Sequence, residues 1–219
     1  MIQELGKIVL TLSDPPLSYL ACCPVKKYPV SVKVHHSHDR ILLWDYAQLP
    51  IYIALIVSDI RQIFKFKEHI VQKSQILLHN ASKGEKNITW CGGSCQKNEL
   101  NKHLNLLHNT FMVKPDFFLR QKNLLRNKFK PIMFVVVSDD PKWCEHELHG
   151  DDVVVIRNKS PEQDLAIMAA CNHSIIDYGT YGMWGAILSG GDTFVYNLTD
   201  SKVAAFEMAS LLPNWYILT

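Results

Sequence analysis

Short, continuously apolar runs alternate with helical patterns between residues 132 and 212, and this alternation restricts the fold more than any other feature of the chain. Residues 132–137 (Ile-Met-Phe-Val-Val-Val), 152–156, 174–178 and 193–196 read as strands. Strands apolar on both faces belong to a parallel sheet covered on either side by helices. The intervening segments supply that cover. Residues 115–128 carry Phe117, Phe118, Leu124 and Leu125 on one side of an amphipathic helix. A second helix starts with Ser160 as N-cap, Pro161 in its first position and Gln163 completing a capping box, and runs to about Cys171. Residues 183–188 lie in a third, closed by Gly190 and Gly191, and residues 204–212 form a fourth. The second half is therefore an α/β, Rossmann-like parallel-sheet domain.

The first half is less regular. Asp14-Pro15-Pro16 and Cys23-Pro24 interrupt it, residues 40–44 read as a strand, and the spacing of Ile53, Ile56, Val57, Ile60, Ile63 and Phe64 predicts a helix over 51–66. Residues 67–78 read as another helix, with Ile70, Val71 and Ile76 apolar. Residues 79–102, rich in Lys, Asn and Gly, read as a linker with a remnant strand at 87–90. This divides the chain into a partial N-terminal domain with linker, 1–102, and a C-terminal domain, 103–219.

With 47% hydrophobic and 20% charged residues the chain can bury a core, and a net charge of +2 does not suggest a nucleic-acid partner. No run is long and apolar enough to span a membrane, and residues 1–12 carry no signal-peptide pattern. Sequons at Asn80, Asn87, Asn158, Asn172 and Asn197 nevertheless point to the secretory pathway. Asn172 precedes a buried strand and reads as accidental. Six cysteines are few for a disulfide scaffold. Cys22 and Cys23 are vicinal, Cys91 and Cys95 lack a second pair at zinc spacing, and Cys144 and Cys171 read as core residues. His35, His36 and His38 read as exposed loop histidines. Trp143 and Trp184 read as core aromatics.

In a parallel α/β sheet, ligands bind at the carboxyl ends of the strands. Ser138, Asp139 and Asp140 fall there; they suit ribose hydroxyls or a guanine edge, or simply form an Asp-Asp-Pro turn. Asp164 lies in the first turn of its helix, where the dipole alone accounts for a carboxylate. Gly179, Thr180, Tyr181 and Gly182 join a strand to a helix N-terminus. They form either a phosphate-holding turn or a structural turn that needs glycine for its backbone angles.

Residues 134–144 (Phe-Val-Val-Val-Ser-Asp-Asp-Pro-Lys-Trp-Cys) resemble the strand-and-turn motif of the α-1,2-fucosyltransferases, glycosyltransferase family 11. Residues 164–193 are similar to that family's most specific signature. The ordered combination is Cys171-Asn172-His173, then Gly179-Thr180-Tyr181-Gly182-Met183-Trp184, then Gly190-Gly191-Asp192-Thr193. The resemblance implies a GT-B-type fold with an incomplete N-terminal domain and GDP-fucose in the C-terminal domain. It implies inverting transfer of fucose to the 2-hydroxyl of a galactose on a glycan, with no obligatory metal and no cofactor. Ser138, Asp139 and Asp164 would face the nucleoside, and Gly179, Thr180, Tyr181 and Gly182 would hold the pyrophosphate. The partners implied are the nucleotide sugar and a β-galactoside acceptor. The location implied is the Golgi membrane, through an anchor outside this sequence, the chain reading as truncated at its start. The family's His-x-Arg-Arg-x-Asp segment has no counterpart here: residues 87–98 read Asn-Ile-Thr-Trp-Cys-Gly-Gly-Ser-Cys-Gln-Lys-Asn, and no arginine occurs between Arg61 and Arg120. The alternative expectation is a member that binds GDP or sugar without transferring it.

Overall fold

The computed structural model describes residues 34–35, 40–41, 50–95, 113–157, 159–177, 179–197 and 204–218. A two-residue ladder joins β1 (Val34–His35) to β2 (Arg40–Ile41) in antiparallel fashion. Six further strands form one sheet: β3 (Thr89–Cys95), β4 (Ile132–Ser138), β5 (Val153–Val155), β6 (His173–Ile176), β7 (Thr193–Tyr196) and β8 (Trp215–Leu218). Every pairing in it is parallel, and the order is β5-β4-β3-β6-β7-β8. The chain starts in the middle, works outward through β4 and β5, then crosses to β6 on the other side of β3. That is the strand order of a doubly wound Rossmann sheet, and its switch point lies between β3 and β6.

Eight helices are described: α1 (Pro50–Leu55), α2 (Val57–Ile63), α3 (Glu68–Ala81), α4 (Pro115–Lys128), α5 (Pro141–Glu147), α6 (Pro161–Ala169), α7 (Thr180–Ser189) and α8 (Ala204–Leu211). Alternation along β4 assigns them to two faces. Val135 and Val137 pack with Ile167, Met168, Met183 and Ile187 of α6 and α7, and with Ile53, Leu78 and Met208 of α1, α3 and α8. Phe134 and Val136 pack on the other face with Phe117, Phe118 and Leu125 of α4 and Cys144 of α5.

β3 corrects the linker reading of residues 79–102. Its residues 91–95 are buried, and all seven of its residues pair with β4. The division at 102/103 would leave this central strand outside the domain whose sheet it holds together. Its run Gly92-Gly93-Ser94 looked like a loop because it is poor in bulky residues. In the sheet, small size is what the position requires. A Cβ on Gly92 would sit 3.4 Å from the Cys171 sulfur, and one on Gly182 would sit 3.0 Å from Ser94 Cβ. Small residues in β3 therefore let α6 and α7 close down on the sheet.

Other expectations shift in detail. The helix expected over 51–66 is two, broken at Ile56 and ended at Phe64, and Ile51, Leu55, Ile56, Ile63 and Phe64 are exposed. Only Ile53 of that apolar stripe is buried in the core. On α4, Leu124 is exposed, whereas Gln121 and Lys122 are buried. The reason lies at the end of α5, where Lys122 Nζ donates to the carbonyls of Leu148 (3.0 Å) and His149 (3.4 Å). Arg61 does the same for α7, its Nε donating to Ile187 O at 2.6 Å against the left-handed Gly190 (φ 84°). Cations at helix C-termini satisfy carbonyls that have no partner in the helix. Ser160 is the N-cap of α6, but no side-chain cap bond forms, so the capping box is not made. The expected strand over 40–44 is described only at Arg40–Ile41. Leu42 to Trp44, His36, His38, Cys22 and Cys23 lie outside the described residues. No helix among the described residues is long and apolar enough to cross a membrane.

Candidate donor-binding site

The carboxyl edge of the sheet is built around Asp177, the residue after β6, which is fully buried. Its backbone N–H donates to Ser94 O (3.2 Å), fastening β6 to β3, and its Oδ1 accepts from Gly179 N–H (2.9 Å). An aspartate accepting from the residue two ahead folds the chain sharply. Gly179 is thereby set as the N-cap of α7, with extended backbone and no side chain capping the helix. This N-cap residue offers no side chain to the first N–H groups of α7, which start at the switch point, and a helix N-terminus so placed attracts an anion.

The glycines of this turn do not serve the backbone angles expected of them. Gly179 has φ −74°, and neither it nor Gly182 is among the positive-φ residues. Gly182 is required by close approach: its Cβ would meet Ser94 at 3.0 Å and Ile176 at 3.2 Å. Thr180 opens the helix half-buried, and the Tyr181 hydroxyl donates to Pro161 O, joining α7 to the start of α6. Burial, with Asp164 nearby, pushes the Tyr181 phenol up and keeps it protonated as a donor.

Asp164 therefore stands beside Tyr181, and the helix dipole does not account for it. Its Oδ1 is buried without a hydrogen-bond partner among the described residues, and desolvation pushes its pKa up to about 6 despite the opposing pull of Lys159. A buried acceptor left open at the ligand edge calls for a donor. The shift also has a sign. The folded state binds a proton more tightly than the unfolded chain, so stability falls as pH rises from about 4 to about 6 and stays lower above. Asp164→Asn is accordingly expected to be more stable than the parent above pH ~6, by ~1 kcal/mol after allowance for solvent screening of a half-exposed group. The advantage should vanish below pH ~4, as urea denaturation at the two pH values will show.

Ser138 and Asp139 also reach this edge. The Ser138 hydroxyl donates to Cys95 O (2.6 Å) and accepts from Asp140 N–H (3.0 Å), so it ties the ends of β3 and β4 together. Asp140 caps α5, its Oδ1 accepting from Trp143 N–H at 3.1 Å. Asp139 is exposed beside them. Cys95 and Cys144 lie beneath, both buried. The hydrogen bond to Cys144, burial and the nearby carboxylates push the Cys95 thiol well up, which disqualifies it as a thiolate nucleophile. Asp177 and Cys95 were not among the expected site residues. The Asp-x-Gly spacing was the available signal for the first, and the misread strand hid the second. No group of three or more His, Cys, Asp or Glu among the described residues could hold a metal ion.

The rest of the 164–193 signature lies at the opposite edge. Asn172 Oδ1 accepts from Trp90 N–H and Asn172 N–H donates to Trp90 O, both at 2.8 Å. His173 stacks on Phe129 (4.3 Å between centroids), and its Nδ1 accepts from Asp192 N–H at 3.2 Å. Asn214 Nδ2 donates to Gly190 O (3.2 Å) and Gly191 O (2.6 Å). At about 3.3 Å per residue, Trp90 lies ~17 Å from Cys95 along β3. Cys171-Asn172-His173 and Gly190 to Thr193 therefore build the sheet and do not touch the ligand edge. Among the sequons, Asn80 and Asn87 are exposed, Asn197 is half-buried and Asn158 lies outside the described residues.

A Rossmann sheet with a helix N-terminus opening at its switch point is an arrangement that suits a phosphate-bearing ligand, and comparison with known proteins narrows the class. Residues 115–219 match the profile of Glycosyl transferase family 11. The chain is 28% identical over 169 residues to "Galactoside alpha-(1,2)-fucosyltransferase 2" of Rattus norvegicus, covering 72% of this chain and 48% of that one. It is 31% identical over 174 residues to "Galactoside alpha-(1,2)-fucosyltransferase 1" of Mus musculus (72% and 45%). It is 26% identical over 168 residues to "Galactoside 2-alpha-L-fucosyltransferase Sec1" of Mus musculus (72% and 46%). No solved structure matches. The chain belongs to glycosyltransferase family 11, the family of the galactoside α-1,2-fucosyltransferases, and it spans about half the length of these relatives.

Proposed function

We propose that the protein binds GDP-fucose at the β3–β6 switch point and transfers fucose to a galactose hydroxyl of a glycan. The observation that carries this reading is the uncapped start of α7 beside the open Asp164 Oδ1. The diphosphate would accept from the N–H groups after Gly179 and from Thr180, with Tyr181 and Gly182 fixing the turn. Asp164 would accept from a guanine N–H and Asp139 from a ribose hydroxyl, while Ser138 keeps the strand ends in register. In the reaction the bond from the anomeric carbon to the β-phosphate oxygen breaks and GDP departs with its electron pair. The acceptor oxygen forms the new bond from the opposite face and its proton passes to a base. Asp177 is not that base, because its carboxylate is buried under the turn it holds. The secretory-pathway reading, with a Golgi location and glycans on the exposed Asn80 and Asn87, belongs to the same proposal.

A second reading, a donor-binding member without turnover, is favoured by one feature: no arginine lies between Arg61 and Arg120. Loss of a single preorganised charge-stabilising donor costs about 10²–10³ in rate. Incubation with GDP-fucose and a β-galactoside, read by mass spectrometry, separates the two. A fucosylated product establishes the enzyme; GDP binding with no product establishes the binding module.

A further inference from the structure

A cleft of about 480 Å³ lies between the segment that leads into α3 and the first turns of α6. Both helices run toward the amino edge of the sheet, so their starts, and this cleft, lie on the ligand edge. α6 is shared: Leu165 lines the cleft, while Asp164 on the neighbouring side of the helix stands by Tyr181. The cleft and the donor site are therefore separated by about one helix, ~10 Å. Three lysines line the cleft, Lys65, Lys67 and Lys73. Among the described residues of its lining the one carboxylate is Glu162, which already feels Lys67, so two of the three positive charges are left unbalanced. Two aromatic rings are also in the lining: Phe64 and Phe66 meet edge to face at 5.0 Å, and Phe64 keeps 42% of its surface exposed. Exposed aromatic rings beside an excess of cations suit a ligand with an apolar sugar face and a negative group.

We propose that this cleft binds an acidic saccharide, whose carboxylate or sulfate ester pairs with Lys65, Lys67 and Lys73 while a pyranose face rests on Phe64 or Phe66. The cleft's preference for acidic sugars stands apart from the donor reading given above. The size fits, since pockets of about 300–1,000 Å³ hold small ligands.

The test is titration calorimetry of the intact chain with lactose, lactose sulfate ester, sialylated lactose and inorganic sulfate, each with GDP titrated on the same sample. Both acidic lactosides should bind about tenfold more tightly than lactose, with the advantage shrinking as salt is raised. If only one of them does so, the cleft is assigned to that acid. The triple variant Lys65→Ala, Lys67→Ala, Lys73→Ala changes exposed side chains only; it should lose the advantage and keep GDP affinity. Phe64→Ala should weaken all three saccharides and leave inorganic sulfate unchanged. Equal affinity for lactose and its acidic derivatives, or an unchanged triple variant, overturns the proposal. Inorganic sulfate binding as tightly as the sulfated sugar overturns its saccharide part. GDP binding without any preference for acidic sugars defeats this inference alone. Acidic-sugar binding without GDP binding defeats the donor reading alone.

Discussion

Gly191→Ala is expected to destabilise the protein by ~3 kcal/mol or more, the upper end of what overpacking costs. A Cβ there would stand 1.6 Å from the carbonyl oxygen of Asn172, and the obstacle is backbone, which cannot swing away as a flexible side chain would. To admit the methyl, the start of β7 must separate from the turn before β6. That separation also disturbs the Asp192–His173 bond and the Asn214 contacts to Gly190 and Gly191. For a chain of this size the cost corresponds to a fall in Tm of about 6–12 °C. Gly93→Ala is the matched control, because its Cβ would meet nothing closer than 3.5 Å, and it should cost ~1 kcal/mol or less. Equal melting temperatures for the two variants would contradict the close approach.

Asp177→Ala is expected to cost ~2–4 kcal/mol and to lower GDP affinity more than tenfold in whatever fraction stays folded. The carboxylate is fully buried, and removing it leaves Gly179 N–H without its acceptor. The turn that presents the start of α7 then loses its anchor. Asp177→Asn keeps an oxygen acceptor and should recover most of the stability. Denaturation curves and GDP titrations of the pair distinguish this from a general loss of folding. An Ala variant that binds GDP as the parent does would show that the turn does not depend on Asp177.

The fold class was legible because four of the six parallel strands are continuous apolar runs, and 132–137 and 193–196 read almost as they stand in β4 and β7. β3 was not legible, for a physical reason. The strand at the middle of a sheet under two closely packed helices favours small residues, and small residues are also the mark of loops. With β3 unread, the switch point could not be placed between β3 and β6. The turn of the candidate site, Gly179 to Gly182, was legible, but not its cause. Neither glycine has a left-handed backbone, and the requirement comes from Ser94 and Ile176 across the packing seam. The signature around residues 164–193 spans both edges of the sheet, and sequence order alone does not tell a ligand contact from a structural one. Asn172 and His173 serve the amino edge, and Asp164 and Thr180 the carboxyl edge.

The central claim is that GDP occupies the switch point, with Asp164 accepting from its base. Titration calorimetry of GDP into the intact chain and into Asp164→Ala, above and below pH ~6, tests it directly. The account predicts saturable binding by the parent above that pH, weaker binding below it as the carboxyl takes up its proton, and at least a tenfold loss in Asp164→Ala with the pH dependence gone. No heat from GDP at either pH, or an Asp164→Ala variant that binds as tightly as the parent, would contradict it.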